Sequence, residues 1–163
     1  MLNSIRHSAV GLLLACVTST AQCAPLEMTP QQLFAGHSEG NGSLKILLGK
    51  TQPFHVESRG QAQPDGSFRL DQTVTFEGKP AQDRTWILET VGPRMYAGTL
   101  SDAAGEVTGR SEGNRLILRY RIKGPMVMQQ TLELLADGKT IDNTGTLTLL
   151  GIPIGRLHEI IIR

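Results

Sequence analysis

Apolar and polar residues alternate along residues 67–76, whose sequence is S-F-R-L-D-Q-T-V-T-F. One face of this segment carries Phe68, Leu70, Val74 and Phe76. A repeat of two residues indicates a half-buried β-strand, because successive side chains of a strand point to opposite faces. Turn residues flank the segment on both sides, as P-D-G before it and G-K-P after it. The segment therefore predicts a strand in a succession of hairpins.

The same repeat recurs from residue 40 to the C-terminus. It gives ten candidate strands, at residues 44–48, 54–61, 67–76, 83–91, 95–100, 106–112, 115–122, 126–135, 141–149 and 155–162. Short antiparallel strands joined by short turns, without a long crossover, are typical of an up-and-down β-barrel. We expect an all-β barrel of about 8–10 strands.

One short helix is predicted before the strands, over residues 29–36. Thr29 can cap it, Pro30 suits the first helical position, and Gln32 can bond back to the cap. The sequence contains no repeat and no low-complexity segment. Residues 25–163 are therefore expected to form a single domain.

Residues 1–24 have the composition of a secretory signal peptide. Arg6 is their only Lys, Arg, Asp or Glu, and it precedes the apolar run A-V-G-L-L-L-A-C-V and then small residues. The run is too short to span a bilayer, which takes about 20 apolar residues. We therefore predict that the protein is exported.

Two cleavage sites remain open. Small residues favour a cut after Ala21, whereas Leu13-Leu14-Ala15-Cys16 is similar to a lipoprotein motif in which Cys16 is acylated and becomes the first residue. Either cut leaves Cys23 as the one unmodified cysteine, so no intrachain disulfide is expected. The domain must be stabilised by packing.

Net charge argues against a nucleic-acid partner. Without Arg6 the chain carries 15 basic and 15 acidic residues, whereas nucleic-acid binding usually requires a basic excess. Arg115, Arg119 and Arg121 share the outward face of one predicted strand. They are interpreted either as a solvated face or as a contact for anionic headgroups or a protein.

The sequence G-R-S-E-G at residues 109–113 matches the pattern of a nucleophilic serine, and Asp137 or Asp142 and then His158 follow in the order of a triad. That motif requires a helix after the serine. Here Gly113-Asn114 predicts a turn, and a strand follows it. Catalysis by Ser111 is therefore not expected, and the protein is predicted not to be an enzyme.

Metal ligands are sparse in the predicted domain. His37, His55 and His158 have no partner at the spacings that bring two ligands to one face, and no cysteine follows Cys23. Neither a metal site nor a cofactor is predicted.

Polar residues on apolar strand faces are the strongest indication of a site. Arg84 shares a face with Trp86, and Gln72 and Gln130 interrupt two other apolar faces. Buried polar groups must be hydrogen-bonded, which an internal network would provide. They are also typical of a pocket that binds a small molecule. The predicted lining consists of Arg84, Trp86, Tyr96, Tyr120, Gln72 and Gln130.

A set of short motifs resembles an uncharacterised family of small proteobacterial envelope proteins. The motifs are Arg84-x-Trp86, Tyr96-x-Gly98, Asp102, Gly105, Gly109, Gly113-Asn114-x-Leu116 and Arg119-Tyr120, with Phe34, Gly36, Asn143, Gly151 and Gly155 outside them. The resemblance implies a lipocalin-like barrel, often with a lipoprotein signal, in the periplasm or on the periplasmic face of the outer membrane. It implies no reaction.

This chain departs from the family in three places. Gln72 stands where an acidic residue is usual, Thr144 stands where a basic one is usual, and residues 131–138 replace an acidic, aromatic stretch. Two functions are therefore expected from the sequence. One is a module that binds an apolar or amphipathic molecule such as a lipid, and the alternative is an assembly protein with a packed interior.

Overall fold

The computed structural model describes residues 27–163. The predicted signal peptide, its two possible cleavage sites, Cys16 and Cys23 lie outside the described residues. Within residues 27–163, no helix has the length and apolar character needed to cross a membrane.

Ten antiparallel strands close into a barrel. They are β1 (Gly36–Ile46), β2 (Thr51–Ala62), β3 (Phe68–Phe76), β4 (Gln82–Gly92), β5 (Met95–Leu100), β6 (Val107–Glu112), β7 (Arg115–Arg121), β8 (Met126–Leu134), β9 (Thr140–Leu149) and β10 (Ile152–Ile162). Each strand pairs with its neighbours in the chain, and β10 pairs with β1. The predicted all-β, up-and-down barrel is confirmed.

The first strand differs from its prediction. It was expected over residues 44–48, but β1 starts at Gly36 and ends at Ile46. Its inward positions include Gly40 and Gly42, where a Cβ would overlap the side chains of Glu159 and Phe54. Because glycine carries no side chain, the alternation that marks a strand is invisible in this part of the sequence.

The predicted helix is present but shorter, as α1 (Pro30–Phe34). Its capping box is formed: the amide of Gln32 donates to Thr29 Oγ1 at 3.1 Å, and the amide of Thr29 donates to Gln32 Oε1 at 2.9 Å. Leu33 and Phe34 of α1 are buried.

The segment that contains α1 covers one end of the barrel, which we call the closed end. The amide of Met28 donates to Gly113 O in the β6–β7 turn at 3.1 Å, and Ala35 forms a bridge with Gly60 on β2. Arg94, in the β4–β5 turn, bonds Glu27 at 2.6 Å. We call the opposite end the open end. It carries the turns β1–β2, β3–β4, β5–β6, β7–β8 and β9–β10.

The barrel interior is packed most completely toward the closed end. Met28, Leu33, Leu116 and Ile141 are fully buried there and belong to one large apolar cluster. A second, smaller cluster of Phe54, Val56 and Val74 lies toward the open end. Leu157 packs against both clusters.

We expect Gly60→Ala to destabilise the barrel. The new Cβ would overlap the carbonyl oxygen of Phe34, where α1 leaves the closed end. Overpacking of this kind costs about 1–3 kcal/mol in the free energy of unfolding. The measurement is urea unfolding. Gly92→Ala is the control, because the nearest atom to its new Cβ would be Met95 Cβ at 3.8 Å, an ordinary van der Waals contact. Equal stability of the two variants would contradict the prediction.

Candidate functional site

A layer of polar side chains crosses the middle of the barrel. Its buried or half-buried members, which we call the polar layer, are Ser58, Gln72, Arg84, Gln130, Asn143 and Glu159. They project inward from six different strands. Two hydrogen-bonded networks hold them.

Gln72 is the centre of the first network. Its amide nitrogen donates to Ser58 Oγ at 2.9 Å, and its carbonyl oxygen accepts from Arg84 Nε at 2.9 Å and from Trp86 Nε1 at 2.7 Å. The Arg84 guanidinium lies 5.7 Å from the centre of the Trp86 ring, a distance that allows a cation–π contact. The network fixes the orientation of Arg84.

The second network runs in one direction and ends on a carboxyl group. Tyr120 OH donates to Gln130 Oε1 at 3.0 Å, Gln130 Nε2 approaches Asn143 Oδ1 at 3.4 Å, and Asn143 Nδ2 donates to Glu159 Oε2 at 2.8 Å. The rings of Trp86 and Tyr120 meet edge to face at 5.1 Å, so the two networks are packed together.

A cavity of about 160 Å³ lies between the polar layer and the open end. Its polar side is formed by Arg84, Tyr120, Gln130, Glu159, Asp102 and Gln82. Its apolar walls are Leu44, Phe54, Val74, Phe76, Ile122, Met128 and Leu157. The cavity thus has a hydrogen-bonding floor and largely apolar walls, and Gln82 and Asp102 lie at its mouth. Two larger hollows, of about 420 and 460 Å³, have mainly polar linings, and the first is lined in part by Ser58, Gln72 and Arg84 of the polar layer.

Burial changes the acidity of two groups in the polar layer. It raises the pKa of Glu159 above its usual value, while the hydrogen bond from Asn143 and the charges of Arg84 and His55 partly oppose this rise. It raises the pKa of Tyr120 to about 12. Tyr120 therefore remains a neutral donor at physiological pH, and the floor favours an uncharged Glu159 more than water does.

The structure brings together part of the predicted pocket. Arg84, Tyr120 and Gln130 line the cavity. Gln72 and Trp86 do not line it but support Arg84 from behind. Tyr96 is outside the site: it lies toward the closed end, with its hydroxyl 3.5 Å from Ser111 Oγ, because it is the second residue of β5 after the β4–β5 turn at that end.

Ser111 is buried inside the closed end, and its hydroxyl donates to the carbonyl of Met28. Strand β7 follows it, rather than the helix that a nucleophile elbow requires. His158 is exposed on the outer wall, 3.1 Å from Asp142. The three residue types of a triad are therefore not brought together around Ser111.

The three arginines of β7 are exposed, as predicted. Arg115 forms a 2.8 Å ion pair with Glu133 of β8. Among residues 27–163, no group of three or more His, Cys, Asp or Glu side chains is placed to hold a metal ion.

Sequence reasoning missed Glu159 and Asn143 as parts of the site, and Asp102 at its edge. Glu159 interrupts the inward face of β10, where Leu157 and Ile161 are its neighbours. Asn143 stands in the same way between Ile141 and Gly145 on β9. The rule that singled out Gln72 and Gln130 would therefore have found both residues.

The fold and the cavity define a lipocalin-like barrel with a polar-floored internal site. The family model for the protein of unknown function DUF3833 matches residues 10–163, so the chain belongs to that family. No curated protein matches its sequence significantly.

Two solved structures are similar in fold. One is the S-type phycobiliprotein lyase CPES from Guillardia theta, with a TM-score of 0.62 and 8% identity over 79% of this chain and 87% of that chain. The other is a protein of unknown function of the DUF3598 family from Nostoc punctiforme PCC 73102, with a TM-score of 0.60 and 13% identity over 84% of this chain and 49% of that one.

We expect Glu159→Gln to remove a pH-dependent loss of stability. The folded-state pKa of Glu159 is raised, so the unfolded chain releases this proton first. Stability therefore falls as the pH rises above the unfolded value near 4.5, and it levels off above the folded pKa. The measurement is chemical unfolding of both proteins across this range.

Glu133→Gln is the control for this prediction. Hydrogen bonds from Asn114 and Arg115 lower the pKa of Glu133, so its contribution is present at neutral pH and is lost as the pH falls. The two variants should change the pH profile in opposite directions. Profiles that change in the same direction would contradict the assignment.

Proposed function

We propose that this protein is an exported, non-enzymatic envelope protein that binds one end of an amphipathic molecule, such as a single-chain lipid, in the cavity at its open end. The observation that carries the proposal is the order of chemistry along the cavity. Hydrogen-bonding groups form the floor, and the walls that lead to the mouth are mainly apolar, with Gln82 and Asp102 at the edge. An amphipathic ligand entering head first matches both parts.

The cavity volume limits what can be enclosed. Pockets for drug-sized ligands measure about 300–1,000 Å³, whereas an engineered cavity of about 150 Å³ holds benzene. A cavity of about 160 Å³ therefore takes a head group or a few carbon atoms. The remainder of the ligand would lie against Phe54, Phe76 and Ile122 at the mouth.

Arg84 defines the head group that fits best. One of its five N–H groups is used in the bond to Gln72, and the planar guanidinium presents the others at the cavity wall. A carboxylate or ester head group supplies acceptor oxygens for these donors. The fold shared with a phycobiliprotein lyase supports a role of the barrel interior in handling a small molecule.

We also propose that the protein is not an enzyme, and the positions of Ser111 and His158 support this. Its hydroxyl is engaged with the backbone of Met28 behind α1, and His158 is on the outer wall. An assembly role with a packed interior is the alternative, and the filled closed half of the barrel favours it. Ligand binding distinguishes the two functions.

Export and anchoring are supported by the sequence of residues 1–24. The family match begins at residue 10 and so includes Cys16. We propose that Cys16 is acylated and tethers the barrel to the periplasmic face of the outer membrane.

We expect dodecanoate to quench the fluorescence of Trp86, the single tryptophan. Trp86 packs on Tyr120, which lines the cavity. Val74→Phe adds bulk at the cavity wall and should weaken binding at least about tenfold, since a mismatch of a single methylene in an apolar pocket already costs about that much. Val127→Phe makes the same change on the outer wall and serves as the control. Binding that is absent in the wild type, or equal in both variants, would favour the assembly role.

We expect the mature protein to carry a lipid on Cys16. Intact mass measured after expression in a bacterium with lipoprotein processing should correspond to an acylated chain that starts at Cys16. Cys16→Ser should abolish this species and release the protein from the membrane fraction. A mass that corresponds to a cut after Ala21 would refute the tether without affecting the binding proposal.

A further inference from the structure

Six apolar side chains are exposed on two hairpins at the open end. We call them the apolar rim, and they are Ile46, Leu47, Leu48, Leu149, Leu150 and Ile152. Leu48 is 101% exposed and Leu150 is 78% exposed. Single exposed apolar residues are ordinary on protein surfaces, but a contiguous group marks an interaction site.

The two hairpins are neighbours because β1 pairs with β10. Ile46 lies opposite Gly155, and the amide of Leu47 donates to the carbonyl of Ile154 at 2.6 Å. The β1–β2 and β9–β10 turns therefore stand side by side, and the apolar rim is one surface.

The backbone at these turns indicates that the leucines serve a purpose other than folding. Each of the nine turns between strands contains a residue with positive φ, which favours glycine. Six of the other seven turns use glycine, and the seventh uses Arg94. The rim turns place a leucine there, Leu48 at φ 63° in β1–β2 and Leu150 at φ 52° beside Gly151 in β9–β10. Leucine in this conformation is strained, and water surrounds its side chain.

The charge around the apolar rim is positive. Lys45, Lys50 and Arg156 are exposed on the same two hairpins, and residues 43–53 and 146–156 contain no Asp or Glu. Lys79 and Lys123 lie at two other turns of the open end. The acidic groups of this end, Glu77, Asp102 and Glu106, belong to the β3–β4 and β5–β6 connections.

We propose that the apolar rim inserts into the surface of an anionic lipid bilayer. Leucine side chains at two adjacent tips suit the boundary between head groups and acyl chains, and the Lys and Arg side chains behind them suit anionic phosphates. Leu44 and Leu157, which line the cavity, lie on the same hairpins. The docked barrel therefore presents its cavity mouth to the lipid.

The first test measures where the barrel contacts a membrane. The full chain with Cys16→Ser and Cys23→Ser receives one cysteine, by Leu47→Cys or by Leu135→Cys, labelled with an environment-sensitive fluorophore. Leu135 is a 40% exposed residue in the β8–β9 connection at the closed end. With phosphatidylglycerol vesicles, the label at position 47 should shift to the blue and be quenched by brominated lipid, and the label at 135 should not.

Several outcomes would overturn the proposal. One is equal behaviour of the two labels. Another is a signal that is the same on neutral phosphatidylcholine vesicles and is insensitive to salt, because attraction to anionic lipid is screened. A blue shift at position 47 that depends on protein concentration without vesicles would identify the rim as a contact between two copies of the chain.

The second test separates folding from docking. Leu48→Gly with Leu150→Gly relieves two strained positions, so the unfolding midpoint should rise by roughly 2–4 °C. The same variant should lose about ten-fold in vesicle affinity as reported by the label at 47. Arg94→Gly relieves the corresponding strain at the closed end and is the control. Unchanged insertion of the double variant, or equal loss in the control, would refute the proposal.

The docking proposal is independent of ligand binding. Val74→Phe blocks the cavity but does not alter the rim, so it should dock with unchanged affinity while losing dodecanoate. Loss of both properties in Val74→Phe would show that docking requires an open cavity and would contradict the independent insertion proposed here.

Discussion

A carboxyl group buried in a barrel must be hydrogen-bonded, and much of this interior is arranged around that of Glu159. The side chain lies on β10 over Gly40 and Gly42 of β1, at the seam where the barrel closes. Larger residues at either glycine would displace it. The seam therefore combines two inward glycines on β1 with a buried acid on β10, and the glycines leave the space that the acid occupies.

The rest of the polar layer follows from the same requirement. Asn143 satisfies Glu159, Gln130 approaches Asn143, and Tyr120 donates to Gln130. A fixed chain of donors determines the orientation of the Gln130 and Asn143 amides. The site is in this respect pre-organised, because its floor is set by internal bonds.

The sequence predicted the fold well because most strands have a strong two-residue repeat and their turns use glycine or proline. The prediction failed at β1, where Gly40 and Gly42 remove the two-residue repeat. It also assigned Tyr96 to the pocket, because a strand pattern shows which face a residue is on but not how far along the barrel axis the residue lies. Tyr96 directly follows the β4–β5 turn, and the bond from Arg94 to Glu27, which shows that this turn is at the closed end, is visible only in the structure. Glu159 interrupts an apolar strand face in the same way as Gln72, so the same criterion could have predicted it.

The two proposed membrane contacts are geometrically compatible. The apolar rim is at the open end, whereas the described chain begins with Glu27 at the closed end, so an anchor at Cys16 would have to reach past the barrel wall. Strands of about ten residues tilted by about 40° give a barrel roughly 25–30 Å high. Residues 17–26 can extend over at most about 36 Å. A lipid on Cys16 could therefore enter the same bilayer that the rim contacts, and the two weak attachments would reinforce each other through the high effective concentration that a short tether provides.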